Sequence, residues 1–202
     1  NMARRLVEEA IATSPENPMG YLSLGWVYFR DYALGNYKSS WETLEKIREL
    51  AQKALAMDDS ISGGHALLCW PYIYTREYDK AIAEGERAVA LDPNGAVANE
   101  FYALSLSWGG RWKEGIPIFQ KAIRLNPIGS STSFLNLGHC YRRAGRFEEA
   151  VSAYNQAILR SPDNIFAHVG LASTYILMGR EKEAQAEAAA VLRIDPKFLL
   201  DN

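Results

Sequence analysis

Residues 131–162 read STSFLNLGHCYRRAGRFEEAVSAYNQAILRSP and hold two short helical patterns in succession. Ala144-Gly145-Arg146 separates the two patterns, and a glycine at such a point is typical of a tight turn. The second pattern ends before Pro162, because proline cannot extend a helix and disfavours helical backbone in the residue before it. The stretch therefore predicts a hairpin of two helices.

The ends of such hairpins recur along the chain at an almost fixed interval. Successive helix-ending prolines recur at a period of about 34 residues, which predicts a stack of repeated hairpins instead of one globular core. The residue before each proline is Asp, Asn or Ser, all of which favour turns. The four prolines are Pro93, Pro127, Pro162 and Pro196.

The first repeat is longer than the others. Asp59 takes the proline position one full period before the first of these prolines, but Pro15 precedes Asp59 by a longer interval. Because the interval from Pro15 to Asp59 exceeds one period by roughly ten residues, this repeat contains about that many additional residues. We expect them in its second helix, Trp41 to Met57, or in the turn before it, where Gly35-Asn36 predicts a break and Ser39-Ser40 an N-cap.

The second and third repeats depart from the pattern at three positions. Pro71 falls inside the first helix of repeat two, where we expect a kink, and Pro117 falls inside the second helix of repeat three. Arg76 stands in the turn where the later repeats carry glycine.

The residues at fixed positions of the hairpin resemble the tetratricopeptide repeat signature. That signature runs as an aromatic residue, Leu-Gly, Tyr, Gly, an aromatic residue, Ala, an aromatic residue, Ala and Pro over about 34 residues. The resemblance implies an all-α superhelix, a solenoid of antiparallel helix hairpins, that binds other proteins. The residues that carry it are Leu137, Gly138, Tyr141, Ala144, Gly145, Phe147, Ala150, Tyr154, Ala157 and Pro162.

The repeats divide the chain into five hairpins with incomplete elements at both ends. Met2 to Thr13 resembles the second helix of a repeat whose first helix is missing, and repeat arrays need polar capping elements. We therefore expect this chain to be cut from a longer protein. The expected segments are 1–17 (second helix of a truncated repeat), 18–61, 62–95, 96–130, 131–164 and 165–198 (repeats one to five) and 199–202 (start of a further helix).

Charge and composition argue against several classes of partner. Lys and Arg number 22 against 24 Asp and Glu, and this net charge of −2 does not favour nucleic acid or an anionic membrane. No apolar run approaches the ~20 residues of a membrane span, and the charged segment Met2 to Ala12 is unlike a signal peptide. Cys69 and Cys140 lie far apart in the sequence, which favours a reduced, cytoplasmic compartment.

The sequence shows no convergent set of acid, base and nucleophile groups typical of an enzyme. His65, His139 and His168 lie in different repeats and outside metal-binding spacings. His65 and His168 share one position of the first helix, and we interpret them as packing residues or solvated helix ends. Cys69 takes a small-residue position and is interpreted as core filler. No catalytic residue, cofactor or metal is expected.

The resemblance implies a concave groove lined by the first helices of successive repeats. Trp26, Trp70 and Trp108 fall on groove positions and outside the packing positions of the signature. Because Trp, Tyr and Arg dominate binding hot spots, they predict a site for a protein or peptide segment. Packing between neighbouring first helices is the alternative. The groove candidates are Trp26, Phe29, Trp70, Tyr74, Glu100, Trp108, His139, Arg142 and Arg143.

Arg142-Arg143 allows two interpretations. Paired arginines usually mark a solvated helix surface, but beside His139 they could pair with a carboxylate of a bound peptide. Some family members bind a C-terminal carboxylate with Lys, Asn and Arg on their first helices. That set is absent, so such chaperone tails are not expected to bind. The matching positions hold Leu22, Trp26, Phe101, Thr132 and Asn136.

Three hypotheses of function follow: a scaffold that binds a protein segment, an arm that forms a homodimer, and an enzyme with an unrecognised site. A second resemblance refines the first two. KAIRLNP at 121–127, LRIDPKFLLDN at 192–202 and the irregular first repeat resemble the C-terminal repeat region of bacterial class III adenylate/guanylate cyclases. It implies a regulatory arm of a bacterial signalling protein whose catalytic domain is absent here.

Overall fold

The regular structure of the chain is helical. A computed structural model describes residues 2–33, 41–129 and 131–198, and within these ranges it contains eleven α-helices and no strand. The expected all-α fold is confirmed. The helices Met2–Thr13 and Trp41–Met57 begin and end at the predicted residues. The helices are α1 (Met2–Thr13), α2 (Pro18–Ala33), α3 (Trp41–Met57), α4 (Ser62–Tyr74), α5 (Tyr78–Leu91), α6 (Ala96–Trp108), α7 (Trp112–Leu125), α8 (Ser131–Arg143), α9 (Phe147–Arg160), α10 (Ile165–Leu177) and α11 (Glu181–Ile194).

The helices fall into two compact units, residues 1–109 and residues 110–202. In the first unit each helix from α1 to α6 packs against the next, and α4 also packs against α2 and α6. In the second unit α7 to α11 pack in the same sequential manner, and α8 also packs against α10. Each unit is thus a stack of hairpins in which the first helices of neighbouring hairpins touch.

The additional residues of the first repeat are spread more widely than expected. Helix α2 has 16 residues and α3 has 17, whereas later first helices have 13 and later second helices have 14. The expected lengthening of the second helix is confirmed at α3, whereas the lengthening of α2 was not expected. The predicted break at Gly35-Asn36, the N-cap at Ser39-Ser40 and the further helix at 199–202 lie outside the described residues.

The turns between paired helices require left-handed backbone at one position. Gly110, Gly145 and Gly179 adopt φ of +82°, +75° and +73°, and Arg76 adopts +61° at the equivalent position. In the turn of Gly145, the amide of Arg146 donates to the carbonyl of Tyr141 over 2.9 Å and closes the end of α8. A side chain in this conformation costs roughly 1 kcal/mol, so Arg76 marks a strained turn.

Large rings and glycines meet where neighbouring helices approach closely. Tyr154 of α9 is fully buried, and a Cβ added at Gly138 of α8 or Gly170 of α10 would lie 2.6 or 2.5 Å from its ring. In the first unit the glycine lies on the second helix and the large ring on the first helix, because Gly85 of α5 faces Tyr102 of α6. Both arrangements fill the same kind of gap between a first and a second helix.

Side chains near the start of the first helices bind the turn that precedes each helix. His65 Nε2 lies 3.1 Å from the carbonyl oxygen of Asp59, and His168 Nε2 lies 3.1 Å from that of Pro162. The Nδ1 atoms of the two histidines lie 2.6 Å from carboxylate oxygens of Glu84 and Glu187, respectively. Both histidines are buried, which confirms their interpretation as packing residues.

The same bond is made by other residue types in the other repeats. Tyr21 Oη donates to the carbonyl of Pro15, and Asn99 Nδ2 donates to the carbonyl of Pro93, each over 3.0 Å. Phe134 of repeat four has no polar atom to donate. There the guanidinium of Arg160 lies 4.1 Å from the ring centroid of Phe134 and donates to the carbonyl of Pro127 over 3.3 Å.

Candidate protein-binding faces

Six aromatic side chains of the first unit form a continuous cluster along α2, α4 and α6, here named the aromatic face. The ring centroid of Phe29 is 5.0 Å from that of Trp70 and 5.5 Å from that of Phe101. The rings of Trp26 and Phe29 meet edge to face at 5.4 Å, a geometry that aromatic pairs prefer. The members are Trp26, Phe29, Tyr32, Trp70, Tyr74 and Phe101.

Helical spacing explains why these rings share one surface. Trp26 and Phe29 are three residues apart on α2, and Trp70 and Tyr74 are four apart on α4, so each pair lies on one side of its helix. The centroids of Trp70 and Tyr74 are 4.8 Å apart. Because α4 packs against both α2 and α6, the rings of the three helices interlock.

Exposure increases from the centre of the aromatic face to one edge. Phe101 is buried, Trp26 and Trp70 are half-buried, and Tyr74 is 45% exposed. Trp108 of α6 is 55% exposed. It occupies the position in its repeat that Tyr74 of α4 occupies in the preceding repeat. Since α4 and α6 pack together, Tyr74 and Trp108 present an open aromatic edge on adjacent helices, and Trp108 is counted with the aromatic face from here on.

Two of the tryptophans combine packing with partial accessibility. Trp26 and Trp70 pack against neighbouring first helices and stay partly accessible. The buried Nε1 of Trp70 finds no hydrogen-bond partner among the described residues, which costs about 1–3 kcal/mol. Burial raises the pKa of Tyr32 and of Tyr74, and the nearby Tyr32 adds to the shift at Tyr74, so both phenols remain neutral.

The remaining groove positions of the first unit contribute unequally. Glu100 of α6 is half-buried and lies next to Phe101 in the sequence. Several aliphatic residues of the same first helices are buried and belong to the core. These buried positions are Leu22, Ala66, Ile73 and Leu104.

The corresponding surface of the second unit, here named the basic face, holds Arg142 and Arg143 at the end of α8. Tyr154 connects this surface to the core: its hydroxyl lies 2.8 Å from His139 Nδ1 and accepts from Arg142 Nε over 3.4 Å. Burial, followed by the charges of Arg142 and Arg143, lowers the pKa of His139 to about 4. His139 is therefore neutral at pH 7 and already engaged by Tyr154.

An aromatic ring and two apolar residues adjoin the arginines. The guanidinium of Arg143 lies 5.9 Å from the ring centroid of Trp112 on α7. Ile176 and Leu177 of α10 follow Arg142 and Arg143 by one repeat and are 60% and 56% exposed. Because α8 packs against α10, cations and exposed aliphatic groups lie on adjacent helices.

Two further observations concern metal-binding groups and the cysteine of α4. No group of three or more His, Cys, Asp or Glu side chains in these ranges could hold a metal ion. Cys69 is fully buried, as expected for core filler, and burial raises the pKa of its thiol to about 12. Among the described helices none is long and apolar enough to cross a membrane.

Sequence reasoning missed four residues of these faces. Tyr32 lies in the part of α2 that exceeds the usual 13 residues, so the repeat pattern gave it no position. Phe101 was considered only as a substitute in a carboxylate-binding set. Trp112 and Tyr154 lie on second helices, and only the packing of α7 and α9 against α8 brings them to the basic face.

Comparisons with known proteins support a single family. Two family models described as tetratricopeptide repeat match residues 96–159 and 141–199. The solved structure of YrrB, described as a TPR protein with an unusual peptide-binding site, superposes with a TM-score of 0.65 at 19% identity over 95% of this chain and 93% of that one. TTC0263, a TPR protein of Thermus thermophilus, superposes with a TM-score of 0.69 at 22% identity over 89% of this chain and 92% of that one.

A curated relative matches over part of its length. Small glutamine-rich tetratricopeptide repeat-containing protein 2 of Mycosarcoma maydis is 29% identical over 119 residues, which cover 58% of this chain and 33% of that protein. The chain spans a third or less of the length of the first curated relatives it matches.

Proposed function

The chain belongs to the tetratricopeptide repeat family, and we propose that it is a non-catalytic scaffold that binds a segment of a partner protein on the aromatic face of its first unit. The observation that carries this proposal is the open edge formed by Tyr74 and Trp108, which are 45% and 55% exposed on adjacent first helices. Exposed Trp and Tyr side chains on a rigid surface are typical hot-spot residues.

The cluster behind this edge supports the proposal. Trp70 contacts Phe29 and Tyr74, so the exposed ring of Tyr74 rests on a packed layer that keeps it in place. A surface held in this way loses little conformational entropy when a ligand binds, which favours affinity. The rings are apolar and their phenols neutral, so the partner segment should carry apolar or aromatic side chains.

The structural neighbour YrrB is described as having a peptide-binding site, which supports the same kind of ligand here. The partner itself, the bacterial signalling role and the cytoplasmic location stay predictions. So does the alternative that the chain is a regulatory or assembly arm of a nucleotide cyclase or forms a homodimer. The sequence of the full-length gene product would test the first of these alternatives, and sedimentation velocity the second.

A peptide-display selection tests the proposal. Random twelve-residue peptides are selected against the wild-type chain, and the Kd values of enriched peptides are measured by fluorescence polarisation. We expect Tyr74→Ala and Trp108→Ala each to weaken binding about tenfold or more. Both side chains are substantially exposed, so neither change should alter the melting temperature strongly.

Trp41→Ala is the matched control, because Trp41 is 60% exposed but lies on the second helix α3. It should leave the Kd unchanged. If no peptide is enriched, or if Trp41→Ala weakens binding as much as Trp108→Ala, the aromatic face is not the binding site.

A further inference from the structure

Arg142 and Arg143 differ from the arginines of the hairpin turns in the same unit. Arg111, Arg146 and Arg180 each pair with a glutamate three residues later, at Glu114, Glu149 and Glu183, respectively. Within 2–33, 41–129 and 131–198, no carboxylate oxygen lies within 4.0 Å of a nitrogen of Arg142 or Arg143. Two adjacent positive charges on a first-helix surface therefore lack an acidic neighbour in these ranges.

The position of Arg142 is fixed by the core. Its Nε donates to the hydroxyl of Tyr154, a side chain with no solvent exposure, and the same hydroxyl lies 2.8 Å from His139 Nδ1. This contact holds the stem of the side chain and uses only one of its five N–H donors. A guanidinium held in place in this way is suited to bidentate binding of a carboxylate.

The surroundings of the pair are apolar. Ile176 and Leu177 are more than half exposed at the equivalent positions of α10. The ring of Trp112 adjoins Arg143 on the other side. A ligand that satisfies this surface needs a negative charge and aliphatic groups close to it in the chain.

We propose that the basic face of the second unit binds a peptide segment in which aspartate or glutamate is flanked by large aliphatic residues. The acidic side chain pairs with Arg142 and Arg143, and the aliphatic side chains contact Ile176 and Leu177. Charge complementarity selects this occupant, since the face offers two unneutralised cations and no anion partner of its own among the described residues. The site lies in the second unit and does not depend on the aromatic face.

An anionic membrane could also meet a surface of cations and exposed aliphatic groups. The peptide is favoured because the chain as a whole carries a net charge of −2, whereas recruitment to anionic lipid relies on several adjacent basic residues. Binding of the chain to anionic vesicles is therefore measured as well, and such binding in place of peptide binding would overturn the proposal.

Two capped octapeptides, GLLDELLG and its uncharged counterpart GLLNQLLG, test the proposal. The ¹⁵N-labelled chain is titrated with each to millimolar concentration while the indole signal of Trp112 and the Nε–H signals of the arginines are followed by NMR. We expect a saturable shift with the acidic peptide and binding about tenfold weaker with the uncharged one. Binding of the acidic peptide should also weaken in about 1 M salt, where the Debye length is about 3 Å.

The variant Arg142→Gln/Arg143→Gln should lose the preference for the acidic peptide. Arg124→Gln is the matched control, because Arg124 is an exposed arginine on α7, and it should retain the preference. Trp108→Ala should also retain it, which separates this site from the aromatic face. Equal affinity for the two peptides, no saturable shift, or binding of phosphatidylserine vesicles in place of the acidic peptide would overturn the proposal.

Discussion

The two units carry first-helix surfaces of opposite chemistry on the same hairpin framework. Residues at equivalent positions are Tyr74 and Trp108 in the first unit and Arg143 and Leu177 in the second. The turns beneath them are alike, with left-handed backbone at Gly110, Gly145 and Gly179 and at Arg76. The difference shows that the positions which build the hairpin and the positions on the accessible surface of the first helices vary independently.

The interior of the two units makes the same point about packing. Gly85 receives Tyr102 in the first unit, whereas Tyr154 of the second unit is received by Gly138 and Gly170. The large residue changes from the first helix to the second helix, and the gap is filled in both cases. What the framework requires is the combined volume at a contact and not a fixed residue at a fixed position.

The largest effect is expected from breaking this packing in the second unit with Gly170→Ala. The new Cβ would lie 2.5 Å from the ring of Tyr154, which is fully buried between neighbouring helices. We expect the free energy of unfolding to fall by about 2–3 kcal/mol. Urea unfolding followed by circular dichroism measures this change.

Gly63→Ala in α4 is the control for that variant. The atom nearest to its added Cβ is 3.5 Å away, an ordinary contact, so the substitution should be neutral or stabilise slightly. If Gly170→Ala leaves the urea midpoint unchanged, the size complementarity described for the second unit does not stabilise it.

A smaller effect should distinguish the two units by pH. The pKa of His139 in the folded chain is held at about 4, below its ordinary value near 6.5, so the unfolded chain takes up the proton first as pH falls. This group therefore leaves stability unchanged above pH 7. Between pH 7 and pH 5 it should remove about 2 kcal/mol, and the loss is complete only below pH 4.

His139→Gln isolates that contribution, because glutamine does not titrate and can still hydrogen-bond the hydroxyl of Tyr154. Urea midpoints of the wild type and the variant should be similar at pH 7 and diverge as pH falls to 5, with the wild type becoming the less stable of the two. Parallel pH profiles would show that His139 takes no part in the acid sensitivity of the chain.

The smallest effect concerns the turns. Arg76→Gly should raise the free energy of unfolding by up to about 1 kcal/mol, because it relieves a side chain at φ +61°. Gly145→Ala should do the opposite in the second unit, where an added Cβ meets no atom within 4 Å and only backbone strain is tested. Thermal melting of both variants checks the pair, and a loss of stability in Arg76→Gly would contradict the assignment of strain.

Much of the fold was predictable because the residues that end helices and form turns recur at a regular interval. Pro93, Pro127 and Pro162 fixed the period, and the glycines at 110, 145 and 179 marked turns that require positive φ. The lengthening of α2 was not predictable from this pattern, because a helix extended by three residues changes no signature position. Arg76 was recognised as a departure from glycine, but its left-handed backbone became evident only in the structure.

The candidate faces were predictable only in outline. Trp70 and Trp108 were singled out together, yet only the structure separates a half-buried ring from one that is 55% exposed. His139 was assigned to the groove by position, but its bond to Tyr154 depends on how two helices pack and has no local sequence signal. Periodicity identifies which helix a residue occupies, whereas accessibility depends on side chains contributed by neighbouring helices.

The histidine bonds from the starts of α4 and α10 to the preceding turns have a consequence for how such arrays can change. His65 and its two partners all lie between Asp59 and Glu84, and His168 and its partners lie between Pro162 and Glu187. A duplication or exchange of either segment would transfer the histidine together with the carbonyl oxygen and the carboxylate that its two ring nitrogens contact. Each of these two segments therefore carries the complete set of hydrogen-bonding groups that connects its first helix to the preceding turn.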